Sequence, residues 1–181
     1  KIYGPTGVGV LYAKTKILKE MTPIFGGGQM IDKVTKEGYT LNDIPWRFEA
    51  GTPAIAEVIA LKEAIRFISN IGLMNIHNYE FELINYAQQK LLSIDGVELY
   101  SPDNQKGPTL TFNIGEIHSY DFTKVLDQLG VAMRSGHHCA QPLLDSFKIS
   151  SSTRVSLAFY NSIDEVDLCM DRIRKALQIL S

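Results

Sequence analysis

The fold is decided by residues 110–136, which read LTFNIGEIHSYDFTKVLDQLGVAMRSG. Residues 110–114 alternate apolar and polar side chains, and this alternation predicts a half-buried strand. Residues 120–129 predict a helix that ends at Gly130, because glycine is favoured where a helix stops. Residues 131–134 predict a second short strand. The stretch thus predicts the order strand, helix, strand.

The alternation of helices and strands continues on both sides of this stretch. Residues 75–93 predict a helix with apolar side chains on one face, and residues 97–100 predict a strand. Residues 153–159 predict another strand, and Ser162 and Glu165 form a capping box that opens the last helix. The resulting order α, β, β, α, β, β, α predicts a small domain in which helices cover one face of a mostly antiparallel sheet.

The first 50 residues follow a different pattern, rich in glycine, proline and threonine. Residues 7–13 predict a buried strand because they are uncharged and partly β-branched. Residues 33–45 are polar and predict irregular structure. Residues 53–71 predict a helix for which Thr52 is a plausible N-cap. These segments do not fit inside the α+β domain.

The sequence therefore predicts three parts. The chain begins with Lys1 and not with methionine, so we expect it to be a piece of a longer protein. The predicted parts are the end of a larger domain at residues 1–52, a connecting helix at residues 53–74, and a small α+β domain at residues 75–181.

Composition narrows the possible partners and compartments. The chain has 181 residues, of which 45% are hydrophobic, and a net charge of -2. A charge this close to neutral argues against nucleic acid or an anionic membrane as the main partner. The sequence shows neither a membrane-spanning apolar run nor a signal peptide. Two cysteines do not make a disulfide framework, so we expect a cytoplasmic protein.

The densest group of reactive side chains lies in RSGHHCAQP, residues 134–142. It places the thiol of Cys139 beside two imidazoles and downstream of the guanidinium of Arg134. The thiolate is the reactive form of cysteine, and nearby positive charge favours it. We therefore interpret Cys139 as a reactive thiol. The alternative is a buried, inert cysteine beside histidines that cap a turn.

A metal site that includes His137, His138 and Cys139 is a weaker alternative. Contiguous side chains point in different directions, whereas structural zinc ligands are usually spaced by two or more residues. Cys169 and His118 could complete a ligand set. Cys169, however, falls among apolar residues of the last helix, which is typical of a core thiol. We therefore predict no metal.

Two further residues have both a functional and a structural interpretation. Arg154 lies in an otherwise apolar strand, where an unpaired charge is costly. It can bind a substrate carboxylate, or it can form an internal ion pair with a residue such as Asp145 or Glu116. Thr52 at a helix start can contact an anion or can simply cap the helix. The residues alone leave the two interpretations of Arg154 open, and without further context they favour simple capping for Thr52.

Four motifs occur together in a fixed order along the chain. They are KIYGPTG at 1–7, WRFEAGTP at 46–53, RSGHHCAQP at 134–142 and RVSLAFYNS at 154–162. With these motifs the sequence resembles the group II cysteine desulfurases, the SufS-type enzymes, among which selenocysteine lyase activity also occurs. The resemblance covers essentially the whole chain.

The resemblance implies a fold and a cofactor. Enzymes of this family are α/β proteins of the aspartate-aminotransferase fold (fold type I) that bind pyridoxal 5'-phosphate and work as homodimers. This chain would form the C-terminal part of such an enzyme. The lysine that holds the cofactor covalently corresponds to Lys1. The threonine that reaches the cofactor phosphate of the other subunit corresponds to Thr52.

The resemblance also implies a reaction in which sulfur is taken from L-cysteine and L-alanine is left. The cysteine that attacks the substrate sulfur and becomes a persulfide corresponds to Cys139. A SufE- or SufU-like acceptor would then receive the sulfur for iron–sulfur cluster assembly or other sulfur biosynthesis. The arginine that binds the substrate carboxylate corresponds to Arg154, and Arg134 and His138 would shape the cysteine loop.

The chain lacks the N-terminal half that carries much of the family's cofactor site, so we expect it to be inactive alone. Selenocysteine lyase and cysteine-sulfinate desulfinase are alternatives within the superfamily. A non-enzymatic sulfur-carrying or interaction domain, which keeps Cys139 without binding the cofactor, is an alternative of another class. Retention of Lys1 and Thr52 counts against that last alternative, since neither residue helps a pure carrier.

Overall fold

A computed structural model describes residues 2–100 and 107–180 of the chain. The chain divides into two compact units, Lys1–Gly72 and Leu73–Ser181. Within the described residues, no helix is long and apolar enough to cross a membrane.

The first unit is built from two helices, a short helical turn and one hairpin. In chain order these elements are helix α1 (Thr15–Glu20), strand β1 (Ile31–Val34), strand β2 (Tyr39–Leu41), a 3-10 helix (Trp46–Phe48) and helix α2 (Ile55–Ile71). Strands β1 and β2 pair antiparallel, with Val34 opposite Tyr39. The prediction of irregular structure at residues 33–45 is therefore wrong for the hairpin. Backbone hydrogen bonds form these short strands, and the polarity of the side chains does not reveal such bonds.

Residues 7–13 form no strand in the described structure, and the prediction of a buried strand there is wrong. Val10, Leu11 and Tyr12 expose 80%, 65% and 86% of their surface. An apolar, β-branched run shows that a segment suits a sheet, but burial also requires neighbouring strands. The described residues supply none here.

Helix α2 starts two residues later than predicted. Its N-cap is Ala54, and no side chain caps its first turn. The prediction that Thr52 is the N-cap is therefore wrong, because the chain enters the helical conformation only after Ala54. The helix ends at Gly72, which has a φ of 92° and donates its N–H to the carbonyl of Ile68.

The second unit is an antiparallel sheet with helices packed on one face, as the sequence predicts. Its elements are helix α3 (Leu73–Leu92), strands β3 (Val97–Leu99) and β4 (Thr109–Ile114), helix α4 (Ser119–Gln128), strand β5 (Arg134–Gly136), helix α5 (Gln141–Ser146), strand β6 (Ser152–Ser156) and helix α6 (Ile163–Leu180). The strand order is β3-β4-β6-β5. Helix α5 is not predicted by the sequence analysis. Pro142 lies in its first turn, where proline is favoured because its missing N–H would have no intrahelical partner.

The core lies between one face of this sheet and the three long helices. Leu110 and Phe112 of β4 are fully buried, and Val155 of β6 lies beside them. Their burial removes large apolar side chains from water, which is the main favourable contribution to folding. The helices contribute the remaining core side chains, namely Leu83, Ile84, Ala87 and Leu91 of α3, Phe122 and Leu126 of α4, and Val166, Met170, Ile173 and Ala176 of α6.

The predicted capping box of the last helix is confirmed. The backbone N–H of Glu165 donates to the Oγ of Ser162 at 3.2 Å, and the N–H of Ser162 donates to the Oε2 of Glu165 at 2.8 Å. Two helix donors that have no intrahelical partner are thus satisfied.

We expect Ser162→Ala to lower the free energy of unfolding by about 1 kcal/mol, because it removes the capping oxygen. Ser162→Thr keeps the oxygen and should retain most of the stability. Urea unfolding followed by circular dichroism measures both. Equal losses in the two variants would show that the capping bond does not stabilise α6.

Candidate active site

The pairing of three strands brings two arginines together. Arg154 of β6 lies opposite Thr111 of β4 on one side and opposite Arg134 of β5 on the other. Residues directly opposite each other in an antiparallel sheet project from the same face. Leu110 and Phe112 point to the core, so Thr111 and both arginines project from the other face. We call this second face the site face.

The two arginines have no acidic partner among the described residues. Neither Asp145 nor Glu116 forms an ion pair with Arg154 in this part of the chain, and the buried Nε of Arg154 donates no hydrogen bond there. Like charges directly opposite each other destabilise a sheet. Among the described residues, Arg154 thus forms no internal ion pair, and the arrangement suits an anionic ligand.

Cys139 lies on the loop that follows β5, and its side chain is exposed. The Nη2 of Arg134 donates a hydrogen bond to its Sγ at 3.5 Å. The alternative of a buried, inert cysteine is thus excluded. An exposed sulfur beside a guanidinium is the kind of microenvironment in which cysteines react.

A left-handed turn directs this cysteine. His138 and Cys139 are consecutive residues with φ values of 54° and 61°. The N–H of Ala140 donates to the carbonyl of His137 at 2.9 Å across the turn. Residues other than glycine rarely adopt this backbone conformation, so other contacts must hold the turn in place.

The imidazole of His138 makes such contacts with Ser152, which is fully buried in β6. Its Nε2 lies 3.0 Å from the carbonyl oxygen and 3.1 Å from the Oγ of Ser152. A carbonyl can only accept, so we assign the proton of the neutral ring to Nε2. Burial, and then the positive charge of Arg154, lower the pKa of His138 below its ordinary value of 6.5. The ring is therefore neutral at physiological pH.

Two residues that could have completed a metal site, Cys169 and His118, have other roles in the structure. Cys169 lies in α6 against the core, and burial raises the pKa of its thiol to about 11. His118 caps α4 by accepting the N–H of Tyr120 at its Nδ1. Across residues 2–100 and 107–180, no three His, Cys, Asp or Glu side chains come close enough to hold a metal.

Two predicted site residues belong to the first unit. Thr52 is exposed and precedes α2, whose first turn has no side-chain cap. Its hydroxyl is therefore not used for capping. Lys1 lies outside the described residues. The structure thus brings together four of the predicted residues, namely Arg134, His138, Cys139 and Arg154.

The sequence analysis assigned no role to Ser152. The signal available was its position two residues before Arg154, which places both side chains on one face of a strand. Which strands would pair with β6 could not be read from the sequence, and neither could the contact with His138.

The sequence matches the aminotransferase class-V family over residues 1–169. The chain belongs to this family. A probable cysteine desulfurase from Staphylococcus epidermidis is 44% identical over 182 residues, which cover 100% of this chain and 44% of that protein. The chain thus spans less than half the length of the curated relatives it matches.

Solved structures give the same result for the fold. The cysteine desulfurase CsdA (S-sulfonic acid) from Escherichia coli matches with a TM-score of 0.93 at 34% identity, over 98% of this chain and 44% of that one. An apo cysteine desulfurase from Thermococcus onnurineus NA1 matches with a TM-score of 0.93 at 35% identity, over the same shares. The predicted fold class and the resemblance to cysteine desulfurases are confirmed.

The two cysteines should differ sharply in reactivity. We expect iodoacetamide at about pH 8 to modify Cys139 and to leave Cys169 unmodified until the protein unfolds, because a buried thiol with a raised pKa forms little thiolate. Peptide mass spectrometry measures both sites, and the denatured chain is the control. Equal modification of both cysteines in the native chain would contradict the structure of the site.

Proposed function

We propose that the protein to which this chain belongs is a pyridoxal-phosphate-dependent cysteine desulfurase. It converts L-cysteine to L-alanine and carries the sulfur as a persulfide on Cys139. The observation that carries the proposal is the exposed thiol of Cys139, 3.5 Å from Arg134, beside a second guanidinium that has no acidic partner among the described residues. The names of the relatives support the same activity.

Thr52 and Lys1 are the residues of this chain that would hold the cofactor. Thr52 would donate its hydroxyl to the phosphate, and the amine of Lys1 would hold the cofactor covalently and move the proton at the substrate Cα. When bound, pyridoxal phosphate acts as an electron sink that makes this proton acidic.

Arg154 would bind the substrate carboxylate. Its planar fork matches the two carboxylate oxygens, and its buried Nε has no other acceptor among the described residues. Arg134 on the neighbouring strand remains beside Cys139. In this arrangement Arg154 orients the substrate, and Arg134 stays in contact with the sulfur that attacks the substrate.

The group-transfer step moves one sulfur atom. The Cys139 thiolate attacks the substrate sulfur, an S–S bond forms and the C–S bond breaks. The electron pair of the broken bond stays with the carbon skeleton, which takes up a proton and leaves as alanine. The balance is one cysteine and one thiol to one alanine and one persulfide, so no outside oxidant is needed.

The exposed position of Cys139 indicates what kind of partner could receive the sulfur. An exposed Cys139 persulfide can be reached by the thiol of an acceptor protein, and we propose a SufE- or SufU-like acceptor. We further propose a homodimer in which Thr52 contacts the cofactor phosphate of the other subunit, and a cytoplasmic location where thiols stay reduced.

A chimaera tests the proposed activity. In it, this chain replaces the matching 182 residues of the Staphylococcus epidermidis relative. We expect the chimaera to bind the cofactor, which its absorbance reports, and to release sulfide and alanine from L-cysteine with a thiol reductant. Cys139→Ser should keep the cofactor and lose sulfide release.

Three comparisons make the result decisive. The unaltered relative is the positive control, and Cys169→Ser should keep full activity. Selenide release from selenocysteine that survives Cys139→Ser would indicate that the thiol acts only on sulfur. Cofactor binding without sulfide release from L-cysteine would overturn the proposal and favour the sulfur-carrying alternative.

We expect Arg154→Gln in the chimaera to raise the KM for L-cysteine about 10- to 100-fold, because a charged hydrogen bond to the carboxylate is lost. Arg154→Lys should recover part of the loss, since it keeps the charge but not the fork. Steady-state kinetics measure both, with the exposed Arg174→Gln as a matched control. An unchanged KM with a lower kcat would show that Arg154 does not bind the substrate carboxylate.

A further inference from the structure

The cysteine loop, which carries His138 and Cys139, has an unfavourable backbone conformation that only a few contacts hold in place. His138 and Cys139 both have positive φ values, and neither is glycine. Two consecutive residues of this kind persist only where the surroundings hold them. The hydrogen bond from the N–H of Ala140 to the carbonyl of His137 closes the turn but does not fix it to the sheet.

Ser152 provides the connection to the sheet. It is 0% exposed, and it lies opposite Gly136, the last residue of β5. Both its carbonyl oxygen and its Oγ lie within hydrogen-bond distance of the Nε2 of His138. One imidazole thereby joins the turn to the strand that carries Arg154.

We propose that Ser152 is a positioning residue that holds the cysteine loop through the neutral imidazole of His138, and that protonation of His138 releases the loop. The inference rests on the proposed role of Cys139 and assigns a regulation to that site. In the held state the Cys139 Sγ lies against Arg134. In the released state the turn relaxes and this contact is lost.

Protonation is unfavourable where the ring lies. The second proton would go to Nδ1, which is buried and has no hydrogen-bond partner among the described residues. Among the described residues, the charged or titratable groups that act on the ring are Arg154 from β6, Arg134 from β5 and the neighbouring His137. All of them are basic, so within the described part of the chain an imidazolium here has neither a hydrogen-bond partner for its Nδ1 nor a counter-charge.

The direction of the pH effect follows from these surroundings. Burial, and then Arg154, lower the pKa of His138 in the folded chain, while an unfolded or released loop would titrate near 6.5. The held state is therefore complete above this value. It is lost as the pH falls through the lowered pKa, because the released loop takes up the proton more readily.

Hydrogen exchange of the Ala140 amide tests the inference, because this amide donates across the turn. We expect the protection factor in the 181-residue chain to fall about three- to tenfold in Ser152→Ala. A similar fall should occur in the unaltered chain between about pH 7 and pH 5. The exposed Ser150→Ala is the matched control and should leave the protection unchanged.

A second variant separates the effect of protonating His138 from the effect of losing its hydrogen bond. His138→Gln places an amide donor near the Ser152 carbonyl but has no group that titrates, so its protection should no longer depend on pH. Core amides such as those of Phe112 and Leu126 confirm that each variant is folded. Protection in the unaltered chain that does not change with pH, or in Ser152→Ala that equals the unaltered chain, would overturn the inference.

The measurement needs neither cofactor nor substrate. A failure here would leave the proposed desulfurase activity standing, and an inactive chimaera would leave the exchange result valid.

Discussion

The site depends on the position of β6 between β4 and β5 in the sheet. Because successive side chains of a strand alternate between two faces, Thr153 and Val155 enter the core while Ser152 and Arg154 project from the site face. A shift of one residue in this pairing would place a guanidinium among the core side chains and an apolar side chain in the site. Burial of the core therefore also determines which side chains project into the site.

The site face is positive because it combines two guanidinium groups, neither of which has an acidic partner among the described residues, with an imidazole that stays neutral. Arg134 and Arg154 repel each other, and the packed helices on the opposite face must stabilise the sheet against this repulsion. The site would gain most from a ligand that brings negative charge, such as a carboxylate or a thiolate. A protonated His138 would add a third positive charge to this face, and burial, and then the charge of Arg154, lower the pKa of His138.

Periodicity and capping signals predict the second unit well because its elements pack on one another. The helices α3, α4 and α6 and the strands β4 and β6 each bury one face, and such elements carry their pattern in the sequence. The errors fall where the structure rests on something else. The apolar residues 7–13 have no paired strand among the described residues, the hairpin at β1 and β2 rests on backbone bonds, and α5 is a short helix with a proline in its first turn.

The contacts of the site divide in the same way, into local contacts that the sequence predicts and long-range contacts that it does not. The contact of Arg134 with Cys139 is local in sequence, so the motif alone places these two groups close together. The contact of His138 with Ser152, and the row that joins Arg134 to Arg154, depend on which strands pair and in which register. No local pattern contains that information. This explains why two adjacent histidines, indistinguishable in the sequence, differ in the structure: His137 is exposed, whereas His138 faces β6 and becomes part of the fold.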